Sequence, residues 1–270
     1  MTVQESVSYN YEKEPVIKAP TSWSFPADGA EACLRRAILS IRSGRPHVDA
    51  SLPFTTHLYG SMMQVWINTP PCKFSMAGCC SICDYWNGVA SEDAVNKACD
   101  YIKAHGDEYS ILLINTCGSC FCEQELPFLQ LYRIMKAIAK TSIKSVIFES
   151  HLVYVDINNL KLLIEVLGDR EVTVEYGQES TSPHVLKYCL NKPSMLINYD
   201  VTAKLQKIGV KILANVILGS PFLSVRQRIQ DTIDSIHSLL ACGMDGVVLF
   251  PVNIKPYTLV KYLFDHGYYK

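Results

Sequence analysis

Six short, apolar, β-branched runs alternate with helical patterns from about residue 60 to the end of the chain, and that order limits the fold more than any other feature. The runs are "MQVWIN" (63–68), "YSILLIN" (109–115), "SVIFES" (145–150), "VTVEY" (172–176), "KILANVIL" (211–218) and "GVVLFPV" (246–252). Between them, "SEDAVNKACDYIKAH", "LPFLQLYRIMKAIAK", "DINNLKLLIEVLGD", "SPHVLKYCL" with "DVTAKLQKIG", and "SVRQRIQDTIDSIHSLLACG" carry apolar residues at helical spacing. Strand–helix alternation implies parallel strands joined by right-handed crossovers. Six units fit either a partial (β/α)6 barrel or a six-stranded open doubly wound sheet, and periodicity alone does not choose between them. In both, functional groups belong in the loops after the C-terminal ends of the strands.

The loops follow that rule. A cysteine-rich loop follows the first run, "NTCGSCFCEQE" the second, "ESH" closes the third, and "GQES", "GSP" and "NIKP" follow the others. Upstream, "ADGAEACLRRAILSIRSGR" (28–45) reads as a helix stopped at Gly44, and residues 1 to about 25 read as a polar arm. The expected division is an N-terminal arm and helix over 1–59 and one barrel-like domain over 60–270. Of the 270 residues 49% are apolar, enough for one sizeable core, and the net charge of −1 provides no electrostatic footprint for nucleic acid. The N-terminus lacks the layout of a signal peptide, and no apolar run approaches the ~20 residues that cross a bilayer. A soluble cytoplasmic protein with no membrane partner is expected.

In a reducing compartment cysteines seldom form structural disulfides, so eleven of them point to metal or redox chemistry. Cys33, Cys99, Cys189 and Cys242 are scattered and read as small buried hydrophobes. The stretch "PPCKFSMAGCCSICDYWNG" (70–88) is different: Cys72-x7-Cys80-x2-Cys83 offers three thiolates in one loop. A structural zinc normally closes with a fourth ligand, whereas a three-cysteine iron–sulfur cluster leaves one iron open for a substrate or cofactor. The spacing suits the cluster better. Zinc, and with it a non-catalytic cysteine-rich or scaffold protein, stays as the alternative.

With three cysteines in the loop after its first strand, the chain resembles the radical S-adenosylmethionine (SAM) superfamily. The gap of seven, with "GCCSICDYWNG", "NTCGSCFCEQELP" and "FPVNIKPYTLVKYLFDHGYY", is similar to the branch of the archaeosine-synthase radical subunit and the Elongator catalytic subunit. The resemblance runs from about residue 50 to the C-terminus. It implies a partial (β/α)6 barrel with an N-terminal helical extension, a 4Fe-4S cluster on Cys72, Cys80 and Cys83, and SAM bound at the open iron. It also implies roles for further residues. Ile82 and the backbone around Val252 and Asn253 would pack on the adenine, with Tyr85 beside them. Gly118 and Ser119 would meet the methionine amine. Glu149 and Glu179 would bond the ribose or the methionyl end, and Lys192 would pair with the SAM carboxylate. Asn215 stands where related enzymes place an acidic ribose contact. SAM carries charges of both signs and an apolar base, so its site needs matching groups on a rigid frame. Without the resemblance, Glu149 and Glu179 read equally as strand-end ion-pair partners, Lys192 as a helix-end cation and Ile82 as core.

The loop after the second run departs from the branch, because Cys117, Cys120 and Cys122 all fall within six residues. Cys79 is a further addition. Two readings follow: these thiols, with Cys79 or a substrate atom, hold a second 4Fe-4S cluster, or one or two act singly while the rest pack inside. A second cluster would make sulfur insertion the leading reaction, on a small nucleoside- or sugar-containing metabolite. The alternative enzyme is an archaeosine-type C–N lyase acting on a lysine-modified 7-deazaguanine in tRNA. Either would draw electrons from a flavodoxin- or ferredoxin-like donor.

Overall fold

The computed structural model describes residues 28–43, 54–90, 93–192 and 199–270, so the polar arm expected at 1–25 lies outside the described residues. In chain order the elements are α1 (Ala30–Arg42), β1 (Phe54–Tyr59), β2 (Met62–Ile67), α2 (Lys73–Met76), α3 (Ala94–His105), β3 (Ile111–Thr116), α4 (Phe128–Ile138) and β4 (Ser145–Glu149). They continue with α5 (Ile157–Leu167), β5 (Glu171–Glu179), α6 (Tyr199–Lys207), β6 (Lys211–Leu218), α7 (Val225–Ala241), β7 (Gly246–Pro251) and α8 (Leu259–Asp265).

All six expected strands form, and β2 to β7 pair in parallel. Their spatial order is their sequence order, β1 to β7. A doubly wound sheet reverses direction at a switch point. This one never does, so each crossover adds its strand on the same side and the sheet curls into an open half-barrel. The choice that periodicity left open is thereby made for the partial (β/α)6 barrel. One strand was not anticipated: β1 pairs antiparallel with β2, from Phe54 opposite Ile67 to Tyr59 opposite Met62. The expected helix in "SPHVLKYCL" is instead a wide π-type turn, Val185–Cys189.

Side chains alternate across the strands, so one set faces the helices and the next faces the concave interior. The outward set includes Val65, Ile67, Ile114, Phe148, Val174 and Val216, which form one core with Ile102, Ile134 and Leu163 from the helices. The inward set becomes polar near the mouth. Gln64 donates to Asn115 Oδ1 at 2.7 Å, and Asn115 Nδ2 donates to Glu149. Glu175 lies opposite Glu149 in the neighbouring strand. At the same end α1 packs Leu34 and Ile38 against Leu259 and Leu263 of α8.

Candidate cofactor site at the mouth of the half-barrel

The thiol loop leaves β2 and folds back on itself. Cys72 immediately precedes α2, and its N–H donates to the Tyr85 carbonyl at 3.0 Å. Cys80 takes a left-handed backbone (φ 62°), which turns the chain so that the Cys83 N–H reaches the Cys80 carbonyl at 3.2 Å. Cys72, Cys79 and Cys80 are buried in one apolar cluster with Phe74, Leu186 and Cys189, and Ile82, Cys83 and Tyr85 pack on it.

Burial pushes the Cys72 thiol up, reinforced by the Glu125 carboxylate and Cys83. Cys80 and Cys83 share a hydrogen bond that holds Cys80 high and brings Cys83 down to about 6, the latter against its own burial and with help from the charge of Arg42. Loading a metal group here therefore displaces protons from Cys72 and Cys80. Among the described residues no three His, Cys, Asp or Glu side chains close on a point that could hold a single ion. A four-iron cluster is broader than an ion and takes its thiolates from further apart. Three cysteines in one buried, apolar, left-handed loop have the right donor chemistry for it.

Two positions hold this loop to the one after β3. Glu125, 1% exposed, accepts from the Lys73 N–H at 2.8 Å with one oxygen and from the Ser119 N–H at 2.6 Å with the other. Gly118 lies where any Cβ would stand 2.0 Å from Glu125 Oε2 and 3.1 Å from the Cys72 Cα, so the residue must be glycine for the loops to meet. In the sequence Glu125 is only one residue of the loop "NTCGSCFCEQE", and nothing local distinguishes it from Glu123.

The other expected contacts surround the same mouth. Ser119 is fully buried, and its hydroxyl accepts from the His151 N–H at 3.1 Å. Glu179, in the left-handed region (φ 68°) at a register shift in β5, pairs with Lys192 Nζ at 2.8 Å. Burial opposes the Lys192 charge, but Glu179 and the Cys80 sulfur beside it raise its pKa above the usual lysine range. Tyr85 meets Trp66 edge-on at 5.3 Å and lies under Lys255, which also pairs with Asp84 at 2.9 Å. Val252 donates its N–H to Leu218 at 3.0 Å where β6 ends, and Asn253 follows it on the exposed side.

Deeper in, Glu149 is pushed up to about 7 by burial and by Glu175. Burial raises Glu175 too, against the hydrogen bond from Asn215. The side-chain oxygen of Asn215 is buried with no partner. An acceptor without a donor, two carboxylates and a buried ammonium give this mouth the mixed polarity that SAM requires. Asn115 and Glu175 escaped the sequence reading, although a polar residue at an inward position of an apolar strand was a usable signal.

The three additional cysteines lie in separate surroundings. Cys117 Sγ faces Asn68 Oδ1 at 3.9 Å and lies under Gly88. Cys120 is fully buried in the main core and donates to the Ile114 carbonyl at 3.4 Å. Cys122 neighbours Glu125 and Tyr154, and burial followed by the Glu125 charge pushes it up to about 11.

No family model matches the chain. It is 27% identical to archaeosine synthase subunit beta of Methanosarcina acetivorans over 209 residues, 74% of this chain and 60% of the relative. The chain spans about 60% of the length of the curated relatives it matches. Among solved structures, methylornithine synthase (PylB) superposes with a TM-score of 0.53 at 13% identity, over 86% of this chain and 61% of that one. The radical SAM methyltransferase TsrM of Kitasatospora setae gives 0.50 at 10% identity, over 75% of this chain and 39% of its own. The fold is thus the partial barrel found in radical SAM enzymes, as the resemblance in the sequence implied. No helix among the described residues is long and apolar enough to cross a membrane.

Proposed function

We propose that this chain is a radical SAM enzyme holding a 4Fe-4S cluster on Cys72, Cys80 and Cys83. The observation that carries the reading is the gathering of these three thiols in one loop, Cys72 and Cys80 buried and Cys83 half-buried, at the mouth of a half-barrel whose strands run in sequence order. A cluster held there by Cys72, Cys80 and Cys83 would supply the single electron needed to cleave SAM reductively. The chain's own residues bind and orient. Lys192 lies beside Cys80 and Cys83 as a fixed ammonium for the SAM carboxylate, and Glu179 holds it in place. Ile82, Tyr85 and Val252 provide the apolar wall for the adenine. Glu149 and Asn215 offer acceptors to the ribose hydroxyls, and the rigid strand frame fixes where the cofactor's reactive end points.

For substrate, the near-neutral charge and polar interior support a small nucleoside- or sugar-containing metabolite, with a flavodoxin- or ferredoxin-like donor supplying electrons. The separation of Cys117, Cys120 and Cys122 favours single thiols over a second cluster, which weakens the case for sulfur insertion. A second reading, an archaeosine-type C–N lyase, draws on the name of the curated relatives. In that reading tRNA affinity comes from a partner or from sequence beyond this barrel.

Anaerobic incubation with SAM, a low-potential reductant and candidate substrates should yield 5′-deoxyadenosine, and Cys80→Ala should abolish it. Iron-loaded protein that never forms 5′-deoxyadenosine would remove the proposal. RNA-dependent turnover would select the second reading.

A further inference from the structure

The N-terminal helix does more than cover the barrel mouth. Arg35, Leu39 and Arg42 follow one another at i, i+4 and i+7, so they share a face of α1. That face lies on the thiol loop. Arg35 Nε donates to the Ala77 carbonyl at 2.8 Å. A Cβ on Gly78 would stand 2.8 Å from Arg35 Cγ and 3.0 Å from Leu39 Cγ, and Gly78 is itself left-handed (φ 81°). Arg42 is only 6% exposed, and its guanidinium donates to four carbonyls of the loop. Those of Cys79, Cys80 and Cys83 lie at 3.2, 3.0 and 3.1 Å, and that of Ser75 completes the set. Two of the four belong to cysteines of the expected cluster.

Burying a guanidinium costs several kcal/mol unless it is paired. Among the described residues no carboxylate takes its charge: the hydrogen bonds from its terminal nitrogens go to neutral carbonyls, and its Nε has no partner there. Negative charge collected by the loop itself supplies compensation at this place, since the Arg42 charge already favours the ionised form of Cys83. Three thiolates carrying a 4Fe-4S group form such an anion, and each added electron makes it more negative.

We propose that Arg42 is the positioning residue of the thiol loop, and that its fixed positive charge favours the reduced form of the cluster held there. The inference rests on the radical SAM reading for its second half only. The low-potential donor protein is oxidised by one electron, the cluster gains that electron, and the guanidinium lowers the energy of the product without exchanging a proton. Arg42 thus has two separable properties, a fork that orders four carbonyls and a charge that tunes reduction.

Two measurements on the whole protein test them. In the metal-free protein, Arg42→Met should raise the alkylation rates of Cys79 and Cys80 at least tenfold, while Cys99, buried against the main core, stays protected. Unchanged rates at Cys79 and Cys80 would overturn the positioning role, whatever the loop binds. In the reconstituted protein, a redox titration followed by electron paramagnetic resonance should show Arg42→Gln reduced less readily. We expect about a tenfold change in the reduced-to-oxidised ratio at fixed potential, about 59 mV for one electron. Arg42→Lys, which keeps the charge but not the fork, should titrate near the wild type. Equal potentials for Gln and wild type, or equal shifts in Gln and Lys, would overturn the electrostatic role. If Arg42→Gln does not load, an Arg42→Lys protein that loads and titrates far from wild type would overturn it as well.

Discussion

The clearest consequence of the polar interior is a pH-dependent cost at Glu149. Its carboxyl ends β4 beside Glu175, with a single donor from Asn115, and its pKa is raised from 4.5 to about 7 by burial first and Glu175 second. At about 1.4 kcal/mol per tenfold change in proton affinity, that displacement corresponds to about 3 kcal/mol. The native state holds the proton more tightly than the unfolded chain. Below pH 4.5 both states are protonated and nothing is lost; between about 4.5 and 7 stability falls; above 7 the full cost is present. Glu149→Gln keeps the shape and removes the charge. In urea titrations of the metal-free protein, the variant should match or fall below wild type at pH 5. It should gain on wild type by about 1–3 kcal/mol at pH 8. Because burial also raises Glu175, the gain belongs to the interacting pair rather than to one residue. A difference between variant and wild type that is constant from pH 5 to 8, or that grows in the opposite direction, would refute the reasoning.

Three further outcomes follow from the contact between the loops. Gly118→Ala drives a methyl into Glu125 and the Cys72 backbone; about 1–3 kcal/mol should be lost, and an unchanged thermal midpoint would show that the loops are not in contact. Glu125→Ala strips the acceptor from the part-buried N–H of Lys73 and from the buried N–H of Ser119. It should cost about 2–4 kcal/mol by denaturant titration, while Glu125→Gln, which keeps one oxygen, should cost about half. The triple Cys117/Cys120/Cys122→Ala protein should retain the iron content of the wild type, since these thiols occupy separate surroundings; a halved iron content would restore the second cluster.

The parallel strands were legible because each buries a face against the helices and carries that face as an apolar run. β1 was not, because "FTTHLY" has no fully buried face: every residue is at least partly exposed, and an edge strand of that kind leaves no hydrophobic imprint. The π-type turn at Val185–Cys189 has the composition of a helix, and it packs on the thiol loop through a contact no local pattern shows, the Ser81 hydroxyl donating to the Cys189 carbonyl at 2.8 Å. Spacing alone singled out Cys72, Cys80 and Cys83 as a candidate ligand set, with zinc left as the alternative. Their supports were not legible. Arg42 acts across 33 to 41 residues, and nothing local marks it beyond its place near the end of a helix. The three thiols after β3 looked like a set because they adjoin in sequence; the turn after that strand sends Cys120 into the core and Cys122 toward Tyr154.

The most direct measurement is the electron paramagnetic resonance spectrum of the anaerobically reconstituted, reduced protein, recorded without and with SAM. An open iron held by Cys72, Cys80 and Cys83 predicts a 4Fe-4S signal whose g-values move when SAM is added, and which is absent from Cys72→Ala. A signal indifferent to SAM, or a colourless protein carrying stoichiometric zinc on the same three sulfurs, would contradict the account.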